Sequence, residues 1–120
     1  MKTFLACLTA VLLAGCATVP SGPERLVGDW RYSDSLQSCL YSFRQDGTFT
    51  GEVRVQSKLV SKFHGRWSIK GHTLLYQYLG DVMGRIPTGA TDQDELLELG
   101  SDSFVIRAAN GDRRRYIRRS

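Results

Sequence analysis

From Leu59 to Ile69 the chain alternates: Leu59, Phe63, Gly65, Trp67 and Ile69 fall on one side, and Lys62, His64, Arg66 and Ser68 on the other. An extended chain points successive side chains to opposite faces, so this stretch can bury its apolar side only as a β-strand with one face wet. The same period of two recurs elsewhere. Leu26 to Ser33 sets Leu26, Gly28, Trp30 and Tyr32 against Asp29 and Arg31, and Ser38 to Arg44 alternates through Cys39, Tyr41 and Phe43. Thr48 to Val55 sets Phe49, Gly51, Val53 and Val55 against Thr48, Thr50, Glu52 and Arg54. His72 to Leu79 leaves its inward side open, because Leu74-Leu75-Tyr76-Gln77-Tyr78 is apolar at both parities. Glu95 to Gly100, Ser103 to Ala108 and Arg113 to Arg118 complete the set.

Asp46-Gly47 and Asn110-Gly111 fall between alternating runs, and such dipeptides favour the tight turns of hairpins. Lys70-Gly71 turns the chain into His72, and Gly80 to Thr91 is the longest irregular stretch. Thr91 to Leu99 is the nearest thing to a helix, but it lacks a clear helical period. About eight short strands joined by tight turns predict an all-β chain, a small up-and-down antiparallel barrel that removes its own sheet edges by closing.

Before these strands the chain is of a different kind. Met1-Lys2-Thr3 carries one positive charge, and Phe4 to Ala14 is an apolar run ending in Leu13-Ala14-Gly15-Cys16. The run is too short to remain as a membrane-spanning helix, which needs about 20 apolar residues, and suits a secretory signal. Leu-Ala-Gly-Cys resembles the lipobox of bacterial lipoproteins at all four positions. That resemblance implies cleavage after residue 15, a diacylglyceryl group on the Cys16 thiol and an acyl chain such as palmitate on the new N-terminus. Ala17 follows the cysteine where the inner-membrane retention signal of enteric bacteria has aspartate. The resemblance therefore points to the periplasmic face of the outer membrane. The expected organisation is a signal peptide at 1–15, a lipidated N-terminus and tether at 16–25 containing Pro20 and Pro23, and a barrel at 26–120.

Of the three cysteines, Cys7 would leave with the signal and Cys16 would carry lipid. Cys39 then stands without a partner, and its place beside Tyr41 and Phe43 predicts a buried apolar role. The net charge of +4 is too modest to argue for nucleic acid. His64 and His72 lack metal-ligand spacing, and no nucleophile motif or phosphate loop is present. Asp92, Asp94 and Glu95 read as a solvated loop end. The expectation is therefore a binding module with no catalytic residues, no metal and no cofactor.

Gly28-Asp29-Trp30 opens the first strand, and Arg115-Tyr116-Ile117-Arg118 ends the last. With Asp46-Gly47-Thr48 and Gly65-Arg66-Trp67 between them, this order resembles the lipocalins and the wider calycin group. There a Gly-x-Trp on the first strand packs under an arginine from the last. The resemblance covers roughly residues 26–118 and implies a barrel-closing set of Gly28, Trp30 and either Arg118 or Arg115. In Arg113 to Arg119 one strand face carries Arg113, Arg115 and Arg119, and the other Arg114 and Arg118. By the same resemblance, Tyr41, Phe43, Phe63, Trp67 and Tyr76 are candidates to line a site for a small apolar or amphiphilic ligand. That ligand would sit at the open end near the Gly80 to Thr91 loop. The alternative is a protein-partner module with a filled core, such as an envelope assembly accessory or a protease inhibitor.

Overall fold

The computed structural model describes residues 23–119; the expected signal peptide, Cys16 and residues 17–22 lie outside the described residues. A helical turn, α1 (Pro23–Leu26), precedes eight strands. These are β1 (Gly28–Ser33), β2 (Gln37–Phe43), β3 (Thr48–Val55), β4 (Lys58–Lys70), β5 (Thr73–Asp81), β6 (Thr91–Leu99), β7 (Ser103–Arg107) and β8 (Arg113–Arg118). Each pairs antiparallel with the next, and β8 pairs back onto β1 through Trp30↔Arg118 and Arg31↔Ile117, closing the barrel. The expected all-β, up-and-down barrel of eight strands is the observed architecture.

The first strand starts two residues later than its alternation suggested. Leu26 ends the helical turn rather than opening the strand, and it is fully buried. Proline at the first position costs such a turn nothing, since its missing N–H would have no intrahelical partner. In β5 the ambiguity resolves with Leu74, Tyr76 and Tyr78 buried inside and Leu75, Gln77 and Leu79 turned outward. Strand β6 runs from Thr91 to Leu99, where the sequence marks a strand only from Glu95 and leaves residues 91–94 between loop and weak helix. Its acidic residues have little intrinsic preference for strand, but Asp92 and Asp94 stand opposite Tyr76 and Leu74 of β5, and this pairing decides the conformation.

The turns divide by chemistry. Gly47 and Gly111 adopt φ of +90° and +94° where Asp-Gly and Asn-Gly predicted hairpins. Gln56 and Ser57, between β3 and β4, also adopt positive φ, 53° and 69°, without a glycine to announce it. The irregular 82–90 segment is organised by Asp81, whose carboxylate accepts from the backbone N–H groups of Met83, Arg85 and Ile86 and from the Ser61 hydroxyl. Burial pulls the Asp81 pKa upward, but the hydrogen bonds from Ser61, Met83, Lys62 and Ile86 outweigh it and leave it below the usual value.

Two glycines let the wall close on itself. A Cβ on Gly51 would collide with the Phe63 ring, and one on Gly65 with the Gln77 carbonyl oxygen across the β4–β5 pair. Gly65 sits beside the register shift at His64/Gly65, where β4 bends. The connections at 44–47, 71–72 and 100–102 lie with α1 at one end of the barrel, and those at 34–36, 56–57, 82–90 and 108–112 at the other.

Candidate ligand-binding site

The end that carries α1 is plugged. Trp30 has no exposed surface, and its indole N–H donates to the Leu26 carbonyl at 2.8 Å. The Arg118 guanidinium lies over the indole with its Cζ 4.1 Å from the ring centroid. It donates through Nε to the Ser101 carbonyl (2.6 Å), through Nη1 to Val27 (2.9 Å) and through Nη2 to Arg25 (2.9 Å). One side chain thus ties α1, the chain entering β1 and the β6–β7 connection to the last strand. Of the two arginines left open by the sequence, Arg118 takes this position. Arg115 turns outward, donating to the Ser103 hydroxyl and lying 3.7 Å from Glu98. Gly28, at φ +134°, pairs with Phe43 at the start of β1.

Above the plug the interior is built of rings. Phe104 meets Trp30 edge-on at 4.7 Å between centroids, and Phe43 meets Trp67 at 5.2 Å. All five residues proposed to line the site are brought together here. Tyr41 is within ring contact of Phe43, Phe63 and Tyr76, and Phe43 of Trp67 and Tyr76. Cys39 is buried, as its alternation implied, and burial pushes its thiol pKa upward.

Toward the other end the rings carry hydroxyls. Burial raises the pKa of Tyr41 and Tyr76 well above the phenolic value and that of Tyr78 and Tyr116 above it. All four are therefore neutral donors and acceptors at physiological pH. Tyr41 lies beside Tyr78, and the Arg114 guanidinium beside Tyr116, and both neighbours oppose part of the upward shift. Tyr76 donates to Asp94 at 3.1 Å. Asp94 is the residue that sequence reasoning missed. It shares the inward parity of Leu96 on β6, and burial pushes its pKa up to about 6 against the opposing hydrogen bond from Tyr76. Arg114 faces inward from β8, its guanidinium 5.5 Å from the centroid of Tyr32, whose hydroxyl donates to Asp34. The signal was present in the sequence: Asp92-x-Asp94-x-Leu96 keeps the phase of a strand.

The wall is thinner here than at the plug. The β6–β7 register runs from Glu95↔Arg107 to Leu99↔Phe104, so Thr91–Asp94 extend beyond the paired part of β7. A recess of about 170 Å³ opens at that point, lined by Thr73, Gln93, Asp94, Glu95, Arg107 and Ala108. A larger hollow of about 460 Å³ lies over the outer face of β1–β4, beside Leu40, Ser42, Thr50, Lys62 and His64.

A meander of eight strands closed on itself and plugged at one end by a tryptophan under an arginine is a lipocalin-like barrel. The chain is similar in structure to a lipocalin-like protein from Bacteroides uniformis, with a TM-score of 0.59 over 79% of this chain and 99% of that one, at 19% sequence identity. At that identity the likeness is one of fold. Neither a model of a known protein family nor a curated protein matches the sequence.

Proposed function

We propose that this chain is a lipoprotein of the bacterial cell envelope whose barrel binds a small amphiphilic molecule at its unplugged end. The observation that carries the reading is the gradient along the interior. An aromatic floor formed by Phe43, Phe49, Trp67 and Phe104 gives way to the hydroxyls of Tyr41, Tyr76, Tyr78 and Tyr116, and then to Asp94 and Arg114. Apolar surroundings with a few convergent polar groups are the usual make-up of a small-molecule site. The rings already occupy the floor, so the ligand sits shallow, its polar head toward Asp94 and Arg114. Lipid on Cys16 holds the module to the membrane, on the periplasmic face of the outer membrane by the Ala17 rule. Two or three acyl chains make such an anchor stable, where a single chain would bind only marginally.

Titration with 1-anilinonaphthalene-8-sulfonate, followed by displacement with laurate and with dodecylamine, tests the site. Saturable binding that weakens in Tyr76→Phe and Asp94→Asn supports it, and a barrel that takes up none of the three probes refutes it. Metabolic labelling with palmitate tests the anchor: label is expected on the wild type and lost in Cys16→Ala, and equal labelling refutes it.

A second reading, a protein-partner module, is favoured by one observation. Leu36, Val82 and Met83, in the connections at the unplugged end, are 66%, 79% and 47% exposed. Failure of all three probes, with retention of the folded barrel, selects that reading.

A further inference from the structure

Closing the barrel with Arg118 settles where the other C-terminal arginines go. Alternation along β8 turns Arg114 and Arg118 inward and places Arg113, Arg115, Ile117 and then Arg119 in one exposed row on the outer surface. Neighbours in such a row stand roughly 7 Å apart. The adjoining strands extend it. Arg31 of β1 lies opposite Ile117, and Arg107 of β7 opposite Arg113. The result is five guanidiniums around Ile117, which is itself 50% exposed.

Acidic groups border this face without filling it. Glu95 and Glu98 of β6 approach Arg107 and Arg115 at 3.4 and 3.7 Å, and Asp29 of β1 accepts from the Ser42 hydroxyl. Exposed pairs of this kind contribute little and exchange readily for other anions. Guanidinium is also the side chain best suited to grip phosphate in a bidentate manner.

We infer that the outer face of β8 and β1 rests on an anionic phospholipid bilayer, with the arginines on lipid phosphates and Ile117 at the boundary of the acyl region. Charge complementarity is one argument for this occupant. Chain length is the other. Arg118 binds the carbonyls of Arg25 and Val27, so the row ends beside α1, where the chain enters the barrel. Only six residues separate Cys16 from Pro23, a span of on the order of 24 Å at full extension. A lipid on Cys16 would hold this face within reach of the membrane, where basic side chains near an anionic leaflet add their attraction to that of the acyl chains. The inference deepens the anchored reading above and gives the barrel a side: with this wall down, the unplugged end opens along the membrane surface.

The test uses residues 17–120, which carry the whole closed barrel and no lipidation site, so it is independent of the palmitate experiment. Co-sedimentation is measured with vesicles of phosphatidylcholine alone and of phosphatidylcholine with phosphatidylglycerol, with tryptophan fluorescence as the check on folding. Binding is expected only to the anionic vesicles and is expected to fall with salt. Each exposed arginine near the surface contributes about fivefold, so Arg113→Gln/Arg115→Gln should lower partitioning about 25-fold. Arg54→Gln/Lys58→Gln, the same loss of charge at the β3–β4 hairpin, should change it far less. Equal binding to both vesicle types, or an equal loss in the two double variants, overturns the inference. Palmitate labelling of Cys16 would in that case still stand or fall separately.

Discussion

Replacing Arg118 with alanine removes a side chain that ties the last strand to the chain entering the first. Three carbonyls, on Arg25, Val27 and Ser101, lose a charged donor at 2.6–2.9 Å, and the Trp30 face loses a cation at 4.1 Å. Hydrogen bonds to charged groups are each worth about 1.5–3 kcal/mol, and a partly desolvated cation–π contact about 1–2 kcal/mol. These terms share one side chain and do not add, and water can reach the Ser101 carbonyl. A loss of about 3–5 kcal/mol is therefore expected, a large share of the stability of a domain this size. Urea unfolding followed by tryptophan emission measures it directly, because Trp30 lies under the guanidinium. Arg118→Lys keeps the charge but not the planar fork and should recover less than half of the loss. Arg115→Ala, on the outer face, should cost about 0–1 kcal/mol. Equal losses in Arg118→Ala and Arg115→Ala, or a loss below about 1 kcal/mol in Arg118→Ala, would refute the account of the plug.

Two further outcomes follow from the wall and the interior. Asp94 has a folded pKa raised to about 6, so between about pH 4 and 6 the unfolded chain ionises this group before the folded one does, and stability falls as pH rises through that window. A carboxyl near 4 in the unfolded chain and about 6 in the folded one would correspond to ~3 kcal/mol; Asp94 is only half-buried, so ~1–2 kcal/mol is expected. Asp94→Asn keeps an acceptor for the Tyr76 hydroxyl, and its urea midpoint should be higher at pH 7 and flatter from pH 4 to 6 than that of the wild type; an unchanged pH profile would show that Asp94 does not titrate from inside the barrel. Gly65→Ala drives a Cβ into the Gln77 carbonyl, a backbone atom that cannot swing aside, and should cost about 3 kcal/mol or more, whereas Gly84→Ala, in open space at φ +70°, should cost only about 1 kcal/mol of backbone strain. Thermal unfolding of the pair gives the ranking, and the reverse order would contradict the close approach of β4 and β5.

The legible part of this fold was whatever one strand states about itself. Alternation in Leu59–Ile69 is enough to say which residues of β4 face in, and Asp46-Gly47 and Asn110-Gly111 announce their turns through the φ they permit. The illegible part depends on a neighbour. Gln56 and Ser57 take positive φ because β3 and β4 must meet in register at Val55↔Lys58, a demand made by the pair and not by either residue. β6 is a strand because β5 offers it an edge, and of the five donors that converge on Asp81 three lie within the 82–90 segment and two, Ser61 and Lys62, come from β4.

The same distinction separates the plug from the unplugged end. Trp30 and Arg118 lie 88 positions apart, yet sequence order alone brings them together, because in a closed meander the first and last strands are neighbours. Nothing comparable connects Asp94 to Tyr76, or Arg114 to Tyr116 and Tyr32, since each contact depends on which parity of its strand turns inward. For β5 that parity was undecided, and for β6 a strand was foreseen only from Glu95 onward, which left Asp92 and Asp94 outside it. Once Tyr76 is known to face in, its hydroxyl needs an acceptor in the interior, and the residues opposite it on β6 are the acidic ones. The carboxylates that looked like solvated loop ends are therefore what lets a tyrosine-rich interior end in polar chemistry. That polarity distinguishes the unplugged end of this barrel from the sealed floor below it.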